Sequence, residues 1–424
     1  MSCVKLYPHQ ADALQRVQGL NNVGFYHDMG LGKTYTGSEK MLALGSRVNL
    51  VVCQKSKLDD WLNHFDQNYP DVVAWDLSDK QDYCNFFTVL NTGVQIGVIN
   101  YDLVYRRPEL NKLRDFTLML DESSLIQNDQ AKRTRAILKL KYKNVILLSG
   151  TPCSGKYELL YSQLKLLGYP LSKTHFYNQY VISHLESLGW DQSRKFRVID
   201  GYKNVEHLKK TMRQLGCDFL KTTDVIDLPD QMFMPVRVPT SKEYKKFSKS
   251  KLVTVDGVEL VGDNTLTELL CLRKLCGIFS TEKKQAFTDI LDSTEDGLIV
   301  FYNFDQELND LKQTAADHGR PISEVNGHVK DLRAYDTTDN AVVFAQYQAG
   351  AKGLNLQKYN KIIYFTPTLS AEDFMQSAKR IHRLGQQKPC FYYKLICKNS
   401  VEENIYKALE KREDYTNELF KKGF

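Results

Sequence analysis

The sequence contains no long apolar run and no Cys-x-x-Cys pair. A membrane-crossing helix needs about 20 consecutive apolar residues, so we expect no transmembrane helix. The polar start, Met1–Gln10, argues against a signal peptide. The nine cysteines include no Cys-x-x-Cys pair, which argues against a zinc knuckle or a disulfide framework. We therefore expect reduced thiols and a cytoplasmic protein.

The chain also has no internal repeat, low-complexity tract or long linker. With 424 residues it is long enough for two or three domains. Its content of 42 % hydrophobic and 25 % charged residues is ordinary for a globular protein. A net charge of +6 suits a polyanionic partner without identifying one.

Short apolar runs alternate with amphipathic stretches at both ends of the chain. This pattern is typical of βα units around a parallel sheet. The first region predicts buried strands at Val23–Tyr26, Asn49–Cys53, Gly97–Asn100, Thr117–Leu120 and Asn144–Leu148. The fold class is therefore α/β, with two parallel-sheet lobes and a mainly helical insertion between them. The predicted limits are lobe 1 at 1–153, a helical insertion attached to it at 154–240, a helical junction at 241–296, lobe 2 at 297–400 and a helical tail at 401–424.

A glycine-rich loop follows the first predicted strand. Gly30 and Gly32 let backbone N–H groups point inward, and a helix opens at Lys33, where the dipole favours a phosphate. Lys33 can reach the β- and γ-phosphates, and the Thr34 hydroxyl can bind Mg²⁺. His27 stands where the strict GxxxxGK[ST] pattern has its first glycine. The alternative is a chance glycine-rich turn before a helix.

Two carboxylates end the predicted strand Thr117–Leu120. Asp121 would hold Mg²⁺, and Glu122 would polarise the attacking water. Taken alone, such a pair is most often a solvated turn. Together with the phosphate loop, it predicts a site for hydrolysis of a nucleoside triphosphate.

Two arginines in the second region extend this prediction. Arg380 and Arg383 are three residues apart, which predicts one face of a helix. A guanidinium that neutralises charge in the transition state of phosphoryl transfer accelerates it by about 10³–10⁵-fold. If these arginines lie on a different lobe from Lys33, catalysis requires the lobes to close. The alternative is a surface salt-bridge face.

These motifs, taken in order, resemble the Swi/Snf-like branch of superfamily 2 helicases and translocases, most closely its compact phage and prophage members. The resemblance covers nearly the whole chain and implies two RecA-like lobes. Departures are Ser124 where the family often has His, Ala351 in place of a glycine, a shortened stretch at 333–340, and no tryptophan near 366–370. The matching segments are Leu6–Gln10, Asp28–Thr34, Val51–Ser56 with Trp61, Ile99–Tyr101, Asp121–Glu122 with Ile126 and Asn128, Leu148–Pro152, Leu228–Pro229, Ile299–Phe304, Ala349–Leu356 and Gln376–Gln386.

The resemblance implies four groups of site residues. Catalytic roles fall to Lys33, Glu122, Arg380 and Arg383. Nucleotide contacts fall to Tyr7, Gln10, Asp28, Met29, Gly30, Leu31, Gly32, Lys33, Thr34 and Gly353, with Thr34 and Asp121 at the metal. Nucleic-acid contacts fall to Lys55, Ser56, Asn100, Tyr101, Gly350, Lys352 and Asn355. Coupling between hydrolysis and nucleic acid falls to Ser149, Gly150, Thr151 and Gln376.

The implied function is an ATPase that uses ATP and Mg²⁺, is stimulated by nucleic acid and moves along DNA, with double-stranded DNA as the expected partner. Fork or branch remodelling and protein displacement are compatible uses. We expect a monomer without a membrane partner, a targeting protein as a further partner, and the host cytoplasm if a phage encodes it. The alternatives are a strand-separating DNA or RNA helicase, a non-hydrolysing nucleic-acid clamp, and small-molecule phosphoryl transfer. A lysine run at residues 242–251 is either a phosphate track or a solvated helix face.

Overall fold

The structure is a computed structural model that describes residues 4–90, 92–188, 191–350 and 354–420, with the backbone only at 188 and 191–194. The chain forms two compact units. The first contains Met1–Val225 and Tyr415–Phe424, and the second contains Ile226–Asp414. Among the described helices, none combines the length and apolar character that crossing a bilayer requires.

A parallel sheet forms the centre of the first unit. In the part of the chain that the structure describes, this unit has the strands β1 (Asn22–His27), β2 (Val48–Cys53), β3 (Val72–Asp76), β4 (Val94–Asn100), β5 (Thr117–Asp121), β6 (Asn144–Leu148), β7 (Val181–Leu188), β8 (Asp191–Tyr202) and β9 (Cys217–Leu220). The sheet order is β3-β4-β2-β5-β6-β1-β9, and every neighbouring pair is parallel. Side chains alternate across it, since Leu118 and Leu120 lie in one buried cluster and Met119 in another.

Helices cover both faces of this sheet and begin at recognisable caps. The Asp79 carboxylate accepts hydrogen bonds from Gln81 N and Asp82 N, which satisfies two free N–H groups of the helix that follows. The described helices of the unit are α1 (Pro8–Arg16), α2 (Lys33–Ala43), α3 (Leu58–Asn68), α4 (Lys80–Thr88), α5 (Tyr101–Val104), α6 (Lys132–Lys139), α7 (Tyr161–Leu166), α8 (Lys173–Tyr180) and α9 (Val205–Gln214). Short 3₁₀ turns lie at Lys55–Lys57, Pro108–Lys112, Ser123–Ile126, Tyr157–Leu160 and Thr222–Asp224.

The second unit repeats the plan with a second sheet. Its described strands are β10 (Gln231–Val238), β11 (Leu252–Val255), β12 (Val258–Val261), β13 (Leu298–Tyr302), β14 (Ile322–Val325), β15 (Lys330–Asp331), β16 (Val342–Gln346), β17 (Lys361–Tyr364) and β18 (Cys390–Cys397). The sheet order is β10-β18-β17-β13-β16-β14-β15, parallel except for the β14–β15 pair. Its central strands β13, β16 and β17 are almost fully buried, as parallel strands covered by helices on both faces are.

The helices of the second unit connect these strands. As far as the described residues show, they are α10 (Lys242–Ser250), α11 (Thr265–Cys276), α12 (Thr281–Asp292), α13 (Asp305–Asp317), α14 (Arg333–Thr337), α15 (Tyr347–Gly350), α16 (Ala371–Ala378) and α17 (Val401–Phe420). The last helix starts in this unit, and from Tyr415 onward it belongs to the first unit.

The α/β class with two parallel-sheet lobes is confirmed, but the middle of the chain is less helical than predicted. Residues 154–296 carry six described strands in addition to helices. Two of them join the lobe sheets as β9 and β10, and four form the antiparallel hairpins β7–β8 and β11–β12. These strands are short or largely exposed, so they lack the continuous apolar runs that identify buried strands. The observed division between the two units lies at 225/226. The finer domain limits predicted from the sequence, at 153/154, 240/241, 296/297 and 400/401, remain predictions.

A buried carboxylate lies at the start of α13. Glu307 is fully buried, and its Oε2 accepts hydrogen bonds from Asn303 N (3.0 Å), Phe304 N (3.2 Å) and Thr366 Oγ1 (3.0 Å). Its Oε1 has no hydrogen-bond partner among the residues that the structure describes. Burial raises the pKa of Glu307 to about 7, although these hydrogen bonds oppose the rise.

This pKa predicts that Glu307 destabilises the fold as the pH rises. The folded chain holds the proton more tightly than the unfolded chain, so the contribution of Glu307 to stability is greatest below its usual pKa and is lost as the pH approaches 7. Between pH 5.5 and 8 the loss is about 2 kcal/mol. We expect Glu307→Gln to remove this dependence, measured as urea unfolding at both pH values. The exposed Glu295→Gln should retain it, and equal pH dependence in wild type and Glu307→Gln would contradict the assignment.

Candidate nucleotide site

The loop between β1 and α2 has the backbone of a phosphate-binding loop. Gly30 and Gly32 have φ of 84° and 70°, the left-handed region that favours glycine. A Cβ at Gly32 would lie 2.2 Å from Gln10 Nε2, so a side chain there would displace the Gln10 amide from the loop. α2 begins at Lys33, and no side chain caps its first turn from Gly32. The positive end of the helix dipole at this turn suits an anion.

Gln10 ties the loop to the start of α1. Its Nε2 donates to the carbonyl oxygens of Gly32 (3.1 Å) and Leu31 (3.4 Å), and its Oε1 accepts from Tyr7 N (2.9 Å). The Tyr7 ring is 58 % exposed. The structure therefore brings together Tyr7, Gln10 and the loop, as the predicted nucleotide contacts require.

Lys33 lies across its own loop. Its Nζ donates to the carbonyl oxygens of His27 (2.8 Å) and Asp28 (3.1 Å). A Cβ placed on Gly150 would lie 3.6 Å from the same nitrogen. The ammonium group is thus held between the phosphate loop and the segment that follows β6.

Strand β9 holds the beginning of the loop, which the sequence did not reveal. The fully buried His27 lies with Nε2 2.7 Å from Asp218 Oδ2, and Arg16 donates to both oxygens of Asp218 at 2.6 and 2.9 Å. Asp28 Oδ2 accepts from Thr222 N at 3.1 Å. Burial lowers the pKa of His27, although the hydrogen bond to the Asp218 carboxylate opposes the shift. The residue in place of the first loop glycine thus has a structural partner.

The carboxylate pair lies at the end of β5. Trp61 Nε1 donates to Asp121 Oδ2 at 2.9 Å, a contact that sequence reasoning missed. Burial raises the pKa of Asp121, while this hydrogen bond and the charge of Lys33 oppose the rise. Glu122 has a φ of 51°, which is unusual for a residue with a side chain. Strain of this kind is typical of residues that the surrounding structure fixes for a function.

The segment after β6 completes this group. Ser149 Oγ donates to Glu122 Oε2 at 3.4 Å and accepts from Thr151 N at 3.2 Å. Because β5 and β6 are neighbouring parallel strands, their carboxyl ends open at one edge of the sheet. The predicted coupling residues Ser149, Gly150 and Thr151 therefore lie beside the predicted catalytic Glu122.

The predicted nucleic-acid contacts of the first unit have different environments. Lys55 and Ser56 are exposed on the 3₁₀ turn after β2. The Asn100 side chain accepts from Leu103 N (3.1 Å) and caps α5. Tyr101 is buried, and its hydroxyl donates to the Asp121 carbonyl oxygen (2.8 Å). In this conformation the side chains of Asn100 and Tyr101 bind other groups of the first unit. Contact of Lys55, Ser56, Asn100 and Tyr101 with nucleic acid stays a prediction.

The two arginines of the second unit do not share a helix, so that prediction is wrong. α16 ends at Ala378, and both arginines lie in the turn that follows. Arg380 is buried. Its guanidinium group donates hydrogen bonds to the carbonyl oxygens of Gln376 (3.2 Å), in the last turn of α16, and Leu354 (2.9 Å). Arg383 donates to the Asn355 side-chain oxygen and is more exposed. Arg383 is therefore the better placed of the two to reach a ligand.

The other predicted residues of the second unit cluster near these arginines. Gly350 is buried at the end of α15, where a Cβ would lie 2.5 Å from Ala345 Cβ, so only glycine fits. Gln376 is buried, and its Nε2 donates to Glu372 Oε1 at 3.2 Å. Lys352 and Gly353 lie outside the described residues.

The donor set fits a nucleoside triphosphate with Mg²⁺. The uncapped start of α2 and Lys33 offer positive charge and N–H groups to phosphates. The Thr34 hydroxyl and the Asp121 carboxylate are oxygen ligands of the kind that Mg²⁺ prefers. A P-loop, a carboxylate pair on a nearby strand and a second parallel-sheet lobe together define the class of two-lobed P-loop ATPases.

The family model described as "SNF2-related domain" matches residues 13–280. This span is more than half of the chain, and the protein belongs to the SNF2-related family.

Relatives from bacteria and eukaryotes match along most of the chain. The yeast (Saccharomyces cerevisiae) ISWI chromatin-remodeling complex ATPase ISW1 is 21 % identical over 89 % of this chain and 37 % of its own length. An uncharacterized ATP-dependent helicase of Mycoplasma pneumoniae is 23 % identical over 96 % of this chain and 41 % of its own. The Drosophila melanogaster SWI/SNF-related matrix-associated actin-dependent regulator of chromatin subfamily A-like protein 1 is 23 % identical over 92 % of this chain and 53 % of its own length. The chain thus spans about half the length of these curated relatives or less.

Among solved structures, the Sulfolobus solfataricus SWI2/SNF2 ATPase core in complex with dsDNA is similar to this chain. The two are 19 % identical, and the match covers 98 % of this chain and 92 % of that structure's chain, with a TM-score of 0.46.

Proposed function

We propose that this chain hydrolyses ATP and couples the reaction to movement along duplex DNA. The observation that carries the proposal is the grouping of the phosphate loop, Glu122 and Ser149 at one edge of the first sheet, in a chain of the SNF2-related family. Relatives named as ATP-dependent helicase and chromatin-remodeling ATPase support ATP as the nucleotide. A cytoplasmic location and a targeting protein belong to the same proposal.

The residues of the chain divide the chemistry among them. Lys33 leaves the carbonyl oxygens of its own loop to bind the phosphates, and Glu122 orients and polarises the attacking water. Thr34 and Asp121 would hold Mg²⁺, whose charge would help to neutralise the phosphates. Arg383 would act on the γ-phosphate only if the second lobe closed on the first during the cycle.

The test of the proposal is the ATPase rate with a panel of nucleic acids. We expect linear duplex DNA to stimulate hydrolysis several-fold more than single-stranded DNA or RNA of equal nucleotide concentration. The panel should be repeated at two salt concentrations, because binding to phosphates weakens as salt rises. Equal or greater stimulation by single strands or RNA would contradict duplex tracking, and no hydrolysis at all would leave a nucleic-acid clamp.

One structural feature keeps strand separation as a second candidate. The β7–β8 hairpin is a two-stranded ribbon, and Leu185 and Phe196 on it are 60 % and 42 % exposed. Apolar side chains on an exposed ribbon are the kind of element that can be inserted between base pairs. Release of a labelled strand from a forked duplex, lost in Phe196→Ser, would favour this candidate. An ATPase without strand release favours translocation alone.

The Trp61–Asp121 hydrogen bond predicts a defect specific to Mg²⁺. Trp61→Phe keeps the stacking on Phe65 but removes the N–H that fixes the Asp121 carboxylate. A hydrogen bond to a charged group contributes about 1.5–3 kcal/mol, so we expect the Mg²⁺ concentration for half-maximal ATPase to rise about 10- to 100-fold. Trp75→Phe is the matched control, because the Trp75 indole donates to a neutral group, Gln95 (2.7 Å). Equal shifts in both variants, or none, would contradict the role of Trp61.

A further inference from the structure

One buried amide lies where the ends of three neighbouring strands converge. Gln163, on α7, is fully buried. Its Oε1 accepts from Ser123 Oγ (2.8 Å) and Tyr26 OH (3.1 Å), and its Nε2 donates to the Pro152 carbonyl oxygen (2.6 Å). Ser123, Pro152 and Tyr26 follow or end β5, β6 and β1, which are adjacent in the sheet.

Each of the two segments that Gln163 joins carries a residue already placed in the site. Ser123 directly follows Glu122, whose backbone is held in the left-handed region at a φ of 51°. Pro152 ends the segment Ser149–Pro152, and Ser149 itself donates to Glu122 at 3.4 Å. A shift of either segment is therefore transmitted to the other through a short, buried hydrogen-bond chain.

The side-chain amide of Gln163 uses its oxygen for one segment and its N–H group for the other. Gln163 accepts from the Glu122 side and donates to the Pro152 side, so one side chain needs both an oxygen and an N–H group. A second donor, Gln127 Nε2, lies 3.3 Å from the same Pro152 oxygen. An apolar residue at 163 would remove the acceptor of the Ser123 and Tyr26 hydroxyl groups and would leave the Pro152 oxygen only the longer contact with Gln127.

We propose that Gln163 is a positioning residue that couples the Glu122 segment to the Ser149–Pro152 segment and thereby sets how strongly DNA stimulates hydrolysis. Gln163 has no predicted contact with ATP or DNA. It acts by fixing the position of Glu122 relative to the segment after β6. This inference rests on the proposed function and names a component of its coupling.

The test cuts the link with three variants at two residues. Gln163→Leu removes both hydrogen bonds, Gln163→Glu keeps the acceptor but loses the donor to Pro152 when its carboxyl group is ionised, and Ser123→Ala removes the donor on the Glu122 side. We expect each to lower the ratio of DNA-stimulated to basal ATPase rate about tenfold, a common size for coupling between sites. The double variant Gln163→Leu with Ser123→Ala should lower the ratio no further, because both changes break one chain. Tyr26→Phe, which removes a buried hydrogen bond to the same amide without touching either segment, is the matched control.

The outcomes separate this inference from the proposed function. If DNA fails to stimulate the wild type, the proposed function fails and the inference falls with it. If the wild type is stimulated but the three variants keep its ratio, or the double variant is additive, the inference alone is overturned. Loss of the ratio in Tyr26→Phe to the same degree would show a general packing role and would also overturn it. Thermal unfolding of each variant identifies any that fail to fold, and Ser123→Ala, which introduces no buried charge, then carries the test.

Discussion

Replacing Glu122 with glutamine is expected to slow ATP hydrolysis by about 10²–10⁴-fold, the usual contribution of a general base. The amide keeps the size and a hydrogen-bonding oxygen, so Ser149 retains a partner, but it cannot take a proton from the attacking water. ATP binding should be unchanged or tighter, because the phosphate loop is intact. The measurement is a steady-state rate at saturating duplex DNA, together with ATP affinity from a fluorescent nucleotide.

A carboxylate away from the site supplies the control for this result. Glu109 accepts a hydrogen bond from Tyr83 (2.7 Å) on another part of the first unit, so Glu109→Gln changes the same group without reaching Glu122. Its rate should equal that of the wild type. A wild type no faster than Glu122→Gln would mean that the chain binds nucleotide without turning it over.

Replacing Arg383 with alanine is expected to lower the rate by about 10³-fold or more, the effect of removing an arginine finger. Arg383 is held by the Asn355 side chain in the turn after α16. Arg380, in contrast, is buried and fixed by two backbone carbonyls, so its loss acts first on the fold of that turn. We expect Arg383→Ala to leave the KM for ATP near the wild-type value, because the guanidinium acts in the transition state.

Arg333→Ala is the matched control for Arg383→Ala, because Arg333 is an exposed arginine in the same unit. It is bound only to the neighbouring Asp331 among the contacts that the described residues show, and Arg333→Ala should keep full activity. A rate for Arg383→Ala within about threefold of wild type, with normal unfolding temperature, would contradict the arginine-finger role. Partial recovery in Arg383→Lys would show that charge without the planar guanidinium suffices in part.

The sequence predicted the parts of the fold that depend on local patterns. The buried strands β1, β2, β4, β5 and β6 fall within a few residues of their predicted positions, since each is a short apolar run that ends in a polar turn. β3 was missed because it lies at the sheet edge and is only partly buried. The hairpin β7–β8 was missed because both of its faces are largely exposed, so no burial imposes an apolar alternation.

The residues of the candidate site likewise include some that local sequence patterns predict and others that only the fold brings together. Gly30, Gly32, Lys33, Asp121 and Glu122 were identified because their chemistry requires fixed spacings next to strand ends. Trp61, Asp218 and Gln163 reach the site from other elements, and their contacts span 60, 191 and 40 residues of sequence respectively. No local pattern marks such partners, because the sheet topology brings them together.

The most direct test of the account is a structure of the chain with duplex DNA and ADP–aluminium fluoride, in which the distance from the fluoride to the Arg383 guanidinium is measured. We predict hydrogen-bonding distance, about 3 Å, with Lys33 in contact with the same group. An analogue held by Lys33 while Arg383 stays in contact with Asn355 and more than about 10 Å away would contradict a hydrolytic site completed by the second lobe.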